Sequence, residues 1–119
     1  MAERPQRVTI IAEHRDTIDG LLVYLKEGGV SSSALQTLGD VPPGVSAVVL
    51  FPDELGAEAV IAWIAALRAR RPTLLLIVVS SAPQRIRAAL EPDGRSALPI
   101  VFPKPVFGWA ILDAIREHG

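Results

Sequence analysis

Four mostly apolar runs, rich in β-branched residues or leucine, recur along the chain and are separated by longer segments of mixed character. The runs are Val8 to Ala12, Ala47 to Phe51, Leu74 to Val79 and Ile100 to Phe102. Because polar residues do not alternate within them, each run is expected to be a strand covered on both faces, as in a parallel sheet. The pattern therefore predicts an α/β domain.

The segments between the runs carry helical periodicity. Asp16 is expected to cap a first helix, which Gly28 and Gly29 end. Asp53 is expected to cap a second helix, which Pro72 ends. The apolar stripes of these two helices are Ile18, Leu21, Leu22 and Leu25, and Val60, Ile61, Ile64 and Leu67.

Two shorter helices are predicted near the end of the chain. One begins at Pro83 and stops before Pro92-Asp93-Gly94, and the last contains Ile111, Leu112 and Ile115. The stretch from Val30 to Gly44 favours only a short strand near Ser32 to Leu35, with at most one helical turn after it. The alternation of strands and helices predicts helices on both sides of the sheet.

Composition narrows the function classes. The 119 residues, half of them hydrophobic, predict a single domain over residues 1–119. Without cysteine, disulfides and thiolate metal sites are excluded, which fits a reducing cytoplasm. Twelve Lys+Arg against thirteen Asp+Glu give no electrostatic case for nucleic acid, and no apolar run could span a bilayer. We therefore expect a cytoplasmic domain.

The strand ends carry the functional residues, because sites in open parallel sheets lie beyond the carboxyl ends of the strands. Glu13 and His14 follow the first run, Asp53 follows the second, and Ser80 and Ser81 follow the third. The run Ile100-Val101-Phe102-Pro103-Lys104-Pro105-Val106-Phe107 resembles the strand and Lys-Pro signature of response-regulator receiver domains. The resemblance extends from about Arg7 to the C-terminus.

The resemblance implies a flavodoxin-like, doubly wound, five-stranded parallel sheet with a shortened or irregular second helix. It maps the acidic, magnesium-binding pair of receivers onto Ala12 and Glu13, and the phosphoacceptor onto Phe51. The conserved hydroxyl and lysine of the family map onto Ser81 and Lys104. Phenylalanine cannot accept a phosphoryl group, and one carboxylate is a poor site for a hard cation. We therefore expect a degenerate pseudo-receiver with no catalytic residue, metal or cofactor.

A pseudo-receiver would act through protein contacts. The usual partner surface of the family, formed by the fourth helix, fifth strand and fifth helix, predicts contacts at Arg85, Ile86, Ala89, Val101 and Trp109. Another signalling protein is the expected partner, and a homodimer through the same face is compatible with it. For Trp63 and Trp109, partner contact and packing at the core edge both remain open.

Other interpretations of these residues remain open. Asp53 could be a displaced phosphoacceptor, although its place before a helical run favours an N-cap. Lys104 is expected to pair with Glu13 across the strand ends. The chain could also be a receiver-like module of a longer signalling or transcription-regulating protein. A small α/β ligand-binding domain or enzyme using Glu13, His14, Ser81 and Lys104 is a further alternative, although no activated nucleophile or glycine-rich loop supports it.

Overall fold

The five strands form one parallel sheet. The computed structural model describes residues 7–90, 99–104 and 108–118. The strands are β1 (Arg7–Ile11), β2 (Ser31–Leu35), β3 (Ala47–Leu50), β4 (Leu75–Ser80) and β5 (Ile100–Pro103). They are ordered β2-β1-β3-β4-β5, and all four pairings are parallel. This order confirms the predicted flavodoxin-like sheet. The chain adds β2 on one side of β1 and then β3, β4 and β5 on the other side. Such folds form a crevice for a site between β1 and β3, where the direction of strand addition changes.

Five helices accompany these strands in the described ranges. They are α1 (Arg15–Glu27), α2 (Pro52–Leu55), α3 (Ala57–Arg70), α4 (Pro83–Ala89) and α5 (Gly108–His118). The single helix predicted after Asp53 is in fact two, because Gly56 takes a φ of 93° and breaks the chain direction. The Pro92-Asp93-Gly94 stop and residues 105–107 lie outside the described residues.

Two predicted helix caps are wrong. His14, and not Asp16, stands at the N-cap of α1, and its side chain makes no capping hydrogen bond. Phe51 stands at the N-cap of α2 because Pro52 takes the first helical position, which suits a residue without an N–H. Asp53 therefore lies inside the first turn of α2, where its side chain is available for other contacts.

The segment between β2 and β3, residues 36–46, contains no helical turn, so the shortened or irregular second helix that the resemblance implied is not present there. Three side-chain hydrogen bonds from α3 and the residue after it fix this segment. The indole N–H of Trp63 donates to the carbonyl of Gly39 at 3.2 Å. The guanidinium of Arg71 donates to the carbonyls of Pro42 and Val45 at 3.3 and 2.9 Å. Trp63 also packs on buried apolar residues, so it belongs to the core edge.

The core has two halves, one on each face of the sheet. One half is buried between the sheet and the helices α1 and α5. The other lies between the sheet and the helices α3 and α4. Strand residues alternate between the halves, so Val49 and Phe51 face α1 and α5 whereas Val48 and Leu50 face α3 and α4. This packing fixes the strand ends on which the site is built.

Candidate functional site

Asp53 is the centre of a polar cluster at the carboxyl ends of β3, β4 and β5. Its Oδ1 accepts a hydrogen bond from the buried Ser80 hydroxyl at 3.1 Å. Its Oδ2 accepts the backbone N–H of Ser81 at 2.8 Å and lies 3.2 Å from Nζ of Lys104. One carboxylate from α2 thus joins the ends of β4 and β5.

Local sequence explains why Asp53 reaches these partners. Pro52 begins α2 one residue after the end of β3. The side chain of the next residue, Asp53, is directed back over the strand ends. Ser80 ends β4 and pairs in register with Pro103, so Lys104 follows at the same level of the sheet. The Ser80 hydroxyl also accepts the N–H of Ala82 at 3.0 Å, which fixes its rotamer.

The carboxylate of Asp53 is stabilised in its ionised form. Burial by itself raises the pKa of this carboxyl, but the hydrogen bonds from Ser81 and the ammonium of Lys104 outweigh that effect and lower the pKa below its ordinary value. The side chains of Asp53 and Lys104 are 29% and 34% exposed, so solvent screens their charge attraction. The hydrogen-bond geometry therefore contributes more than the ion pair alone.

Glu54 makes a second link at the same end of the sheet. Its Oε1 accepts the backbone N–H of His14 at 2.8 Å, and its Oε2 accepts the hydroxyl of Thr17 at 2.9 Å. The first bond satisfies one of the unpaired backbone N–H groups at the start of α1, which has no capping side chain of its own. Adjacent carboxylates of α2 therefore fasten α1 on one side and the ends of β4 and β5 on the other.

The receiver-like positions are occupied in part by apolar side chains. Ala12 is fully buried, and the ring of Phe51 is 6% exposed and packs in the core. Glu13 is exposed, and its backbone carbonyl accepts a hydrogen bond from the side chain of Gln36 at 3.3 Å. The described residues contain no group of three or more acidic or imidazole side chains placed to hold a metal ion.

Several residue assignments change with this geometry. Lys104 pairs with Asp53 and not with Glu13, because α2 places the Asp53 carboxylate at the end of β5. Ser81 binds Asp53 through its backbone N–H, and the hydroxyl of the neighbouring Ser80 donates to the same carboxylate. The linking role of Glu54 was missed, and no sequence motif pointed to it. Pro52 was the sequence signal that Asp53 is not an N-cap, because proline favours the first position of a helix and therefore places Asp53 inside it.

The four residues of the enzyme alternative contact three different partners, because Ser81 and Lys104 share the carboxylate of Asp53. Lys104 is held by Asp53, the backbone of His14 by Glu54, and the backbone carbonyl of Glu13 by Gln36. A cavity of about 240 Å³ lies elsewhere, between α1 and the start of α5, with Phe51 in its wall. The contacts of Glu13, His14, Ser81 and Lys104 therefore do not pair a nucleophile with a base.

The predicted partner surface is divided between exposed and buried side chains. Arg85 and Ala89 on α4 are exposed, and Trp109 on α5 is 55% exposed. Ile86 and Val101 are 1% and 7% exposed and belong to the core between the sheet and α3 and α4. They support this face from beneath, so only the other three can contact a partner directly.

The chain has the fold of response-regulator receiver domains. A response regulator receiver protein from Pseudomonas putida superposes with a TM-score of 0.80 at 16% identity, over 98% of this chain and 99% of that one. A CheY-like receiver domain protein from Methanospirillum hungatei JF-1 gives a TM-score of 0.71 at 19% identity, over 96% and 93%. At these identities the comparison establishes the fold.

A third similar structure carries a different description. A sensor protein from Polaromonas sp. JS666 gives a TM-score of 0.72 at 22% identity, over 98% of this chain and 96% of that one. No protein-family model and no curated protein matches the sequence. None of the helices in the described ranges combines the length and apolar character needed to cross a bilayer.

Proposed function

We propose that this chain is a pseudo-receiver, a non-enzymatic signalling domain that works by contact with another protein and without phosphorylation. The observation that carries the proposal is the buried ring of Phe51 at the end of β3. The resemblance to receivers puts the phosphoacceptor carboxylate at this position, and an aromatic ring offers no oxygen to attack a phosphoryl donor. The fold would then serve as a scaffold for protein contacts, in the cytoplasm where two-component signalling proteins act.

Asp53 is poorly suited to replace the missing acceptor. Both of its oxygens already accept hydrogen bonds, and Oδ2 also faces the ammonium of Lys104. Three donors surround the carboxylate, and at least one of these contacts would have to be given up before an oxygen could attack a phosphoryl donor. Its position supports a structural role, in which it neutralises Lys104.

The strand ends also provide few ligands for a divalent cation. Hard divalent cations prefer several oxygen ligands, and Glu13 is the one carboxylate at the position of the acidic pair, beside the buried Ala12. Phosphoryl transfer to receivers depends on such a cation, according to the resemblance. Loss of the acceptor and loss of the cation site therefore support the same proposal.

Incubation with a phosphoryl donor tests this proposal directly. The chain is treated with acetyl phosphate and Mg²⁺, and the intact mass is measured beside a receiver that accepts the phosphoryl group under the same conditions. We expect the control receiver to gain the mass of a phosphoryl group and this chain to remain unchanged. A phosphoryl adduct that disappears in Asp53→Asn would overturn the proposal and identify Asp53 as a displaced acceptor.

The partner surface proposed for this function is the outer side of α4 and the start of α5, formed by Arg85, Ala89 and Trp109. Trp109 is a large exposed aromatic residue and Arg85 is an exposed cation, and both residue types are enriched at protein-binding hot spots. Pull-down from native extract with the wild type and with Arg85→Glu locates the surface, with Arg70→Glu on α3 as the matched control. We expect one dominant partner to be lost with Arg85→Glu alone; equal recovery by all three proteins would refute this surface.

A further inference from the structure

The two edges of the sheet differ in how their backbone groups are protected. At the β5 edge, the guanidinium of Arg87 donates to the carbonyl of Val101 at 2.8 Å, and Pro103 lacks an N–H. Charged side chains and proline are devices that prevent a strand edge from pairing with another chain. The β5 edge is therefore blocked for strand pairing.

The β2 edge has neither device. Within the described residues β2 pairs with β1 alone, and its sequence Ser-Ser-Ser-Ala-Leu contains no charge and no proline. The carbonyl of Leu35 accepts the N–H of Ala12, so it faces β1. Because alternate residues of a parallel strand face the same neighbour, the N–H and C=O groups of Ser32 and Ala34 face outward.

We propose that a second copy of this chain pairs with the free edge of β2, antiparallel to it, about a two-fold axis at Ser33. Ser32 of each copy then lies opposite Ala34 of the other, and the two residues exchange N–H and C=O hydrogen bonds. The small, uncharged side chains place no like charges opposite each other. The two sheets become one continuous ten-stranded sheet.

The outer flank of α1 supports a second copy in particular. Tyr24 faces α5, where its ring lies against Gly108, so the opposite flank of α1 lies above the β2 edge. This flank contains Asp19, Leu22, Val23 and Lys26, which share one stripe of the helix. Val23 is 58% exposed, so the stripe includes apolar surface that a second copy would cover.

The charges on this flank are complementary to a second copy of the same helix. Because α1 connects β1 to β2, it lies over these two strands. Two-fold pairing of the β2 edges then places α1 and its copy about two strand spacings apart, which is roughly the 8 to 10 Å that separates the axes of packed helices. With the axis between Leu22 and Val23, Asp19 of each copy lies beside Lys26 of the other. Both side chains are exposed, and neither has an ion pair or hydrogen bond within the described chain.

Sedimentation velocity over a concentration series tests for the dimer. We expect a reversible shift from the 12.7 kDa chain to twice that mass, with a dissociation constant on the order of 10 to 100 μM because the interface is small. Ser32→Pro removes one outward N–H from each copy but leaves the pairing with β1 intact. It is expected to weaken the dimer roughly 30-fold, while the melting temperature confirms that the chain still folds.

Charge reversal on α1 provides an independent measurement. Asp19→Lys and Lys26→Asp are each expected to weaken the dimer roughly tenfold, and the double variant is expected to restore it to about the wild-type value. Arg70→Glu on α3 is the control and should leave the dimer unchanged. A chain that stays monomeric throughout, or a dimer that responds to Arg85→Glu and not to the β2 and α1 variants, would overturn this inference.

Discussion

Replacing Asp53 by asparagine tests the polar cluster at the strand ends. The substitution keeps the size of the side chain but removes its charge, and the new amide N–H groups face donors from Ser81 or Lys104. The two hydrogen bonds and the ion pair, discounted for solvent exposure, together give an expected loss of about 2 kcal/mol in the free energy of unfolding. For a chain of this size that corresponds to a fall of roughly 6 to 10 °C in melting temperature.

The same substitution separates this cluster from the N-cap interpretation. Asparagine caps helices about as well as aspartate, so a capping Asp53 would tolerate the change with almost no loss of stability. Asp40→Asn is the matched control, because Asp40 is exposed and has no hydrogen bond within the described chain. Urea denaturation at pH 7 should show the loss for Asp53→Asn and a change within about 0.5 kcal/mol for the control.

The pH dependence follows from the lowered pKa of Asp53. The pKa of Asp53 is lower in the folded state than in the unfolded state, so the unfolded chain binds the proton more tightly. The stabilising contribution of the ionised carboxylate is therefore complete at pH values well above the unfolded pKa of about 3.9. The contribution is lost as the pH falls through the folded pKa, which lies below that value. The difference between wild type and Asp53→Asn should therefore shrink below about pH 4. Equal stability of the two proteins at pH 7, or a difference that does not depend on pH, would refute this reasoning.

Three further substitutions test the backbone and loop assignments by thermal denaturation. Gly20→Ala should stabilise the chain by about 0.5 to 1 kcal/mol, because the added methyl group meets no atom within 4 Å and alanine favours the helix; an unchanged melting temperature would contradict this. Gly56→Ala should destabilise it by about 1 to 2 kcal/mol, because the φ of 93° is strained for alanine, and a neutral effect would contradict the break between α2 and α3. Trp63→Phe should cost about 1 kcal/mol and speed amide hydrogen exchange around Gly39, since it removes the indole bond; unchanged exchange there would refute the anchor.

The sequence could predict the sheet because its strands are apolar on both faces. All four apolar runs became strands with bounds shifted by at most one residue, and the weak strand that ends at Leu35 is also present. These features depend on local composition and on the requirement to bury both faces of a parallel sheet. The segment between β2 and β3 was predicted only in part: Pro42 and Pro43 argued against a full helix, but a single helical turn was expected to be possible and is not present.

The site could be predicted only in part, because its contacts join residues distant in sequence. Lys104 and the serines after β4 were recognised from their places at strand ends, but the partner of Lys104 depends on the path of the chain after β3. Pro52 and Gly56 set that path, and together they turn Asp53 toward β4 and β5. A capping rule applied to Asp53 alone ignored the proline before it and gave the wrong contact.

Phe51 and Asp53 are best understood as a pair. A lysine at the carboxyl ends of the strands needs a nearby negative charge, because an unmatched, partly buried ammonium costs free energy. The ring of Phe51 fills the core and supplies no charge, whereas Asp53 supplies one carboxylate that also accepts the Ser80 and Ser81 donors. Charge and hydrogen bonds at this end of the sheet are then balanced within the chain. A cluster whose donors are already satisfied by an internal carboxylate holds β4, β5 and α2 together without any added group, as the proposed phosphorylation-independent scaffold would require.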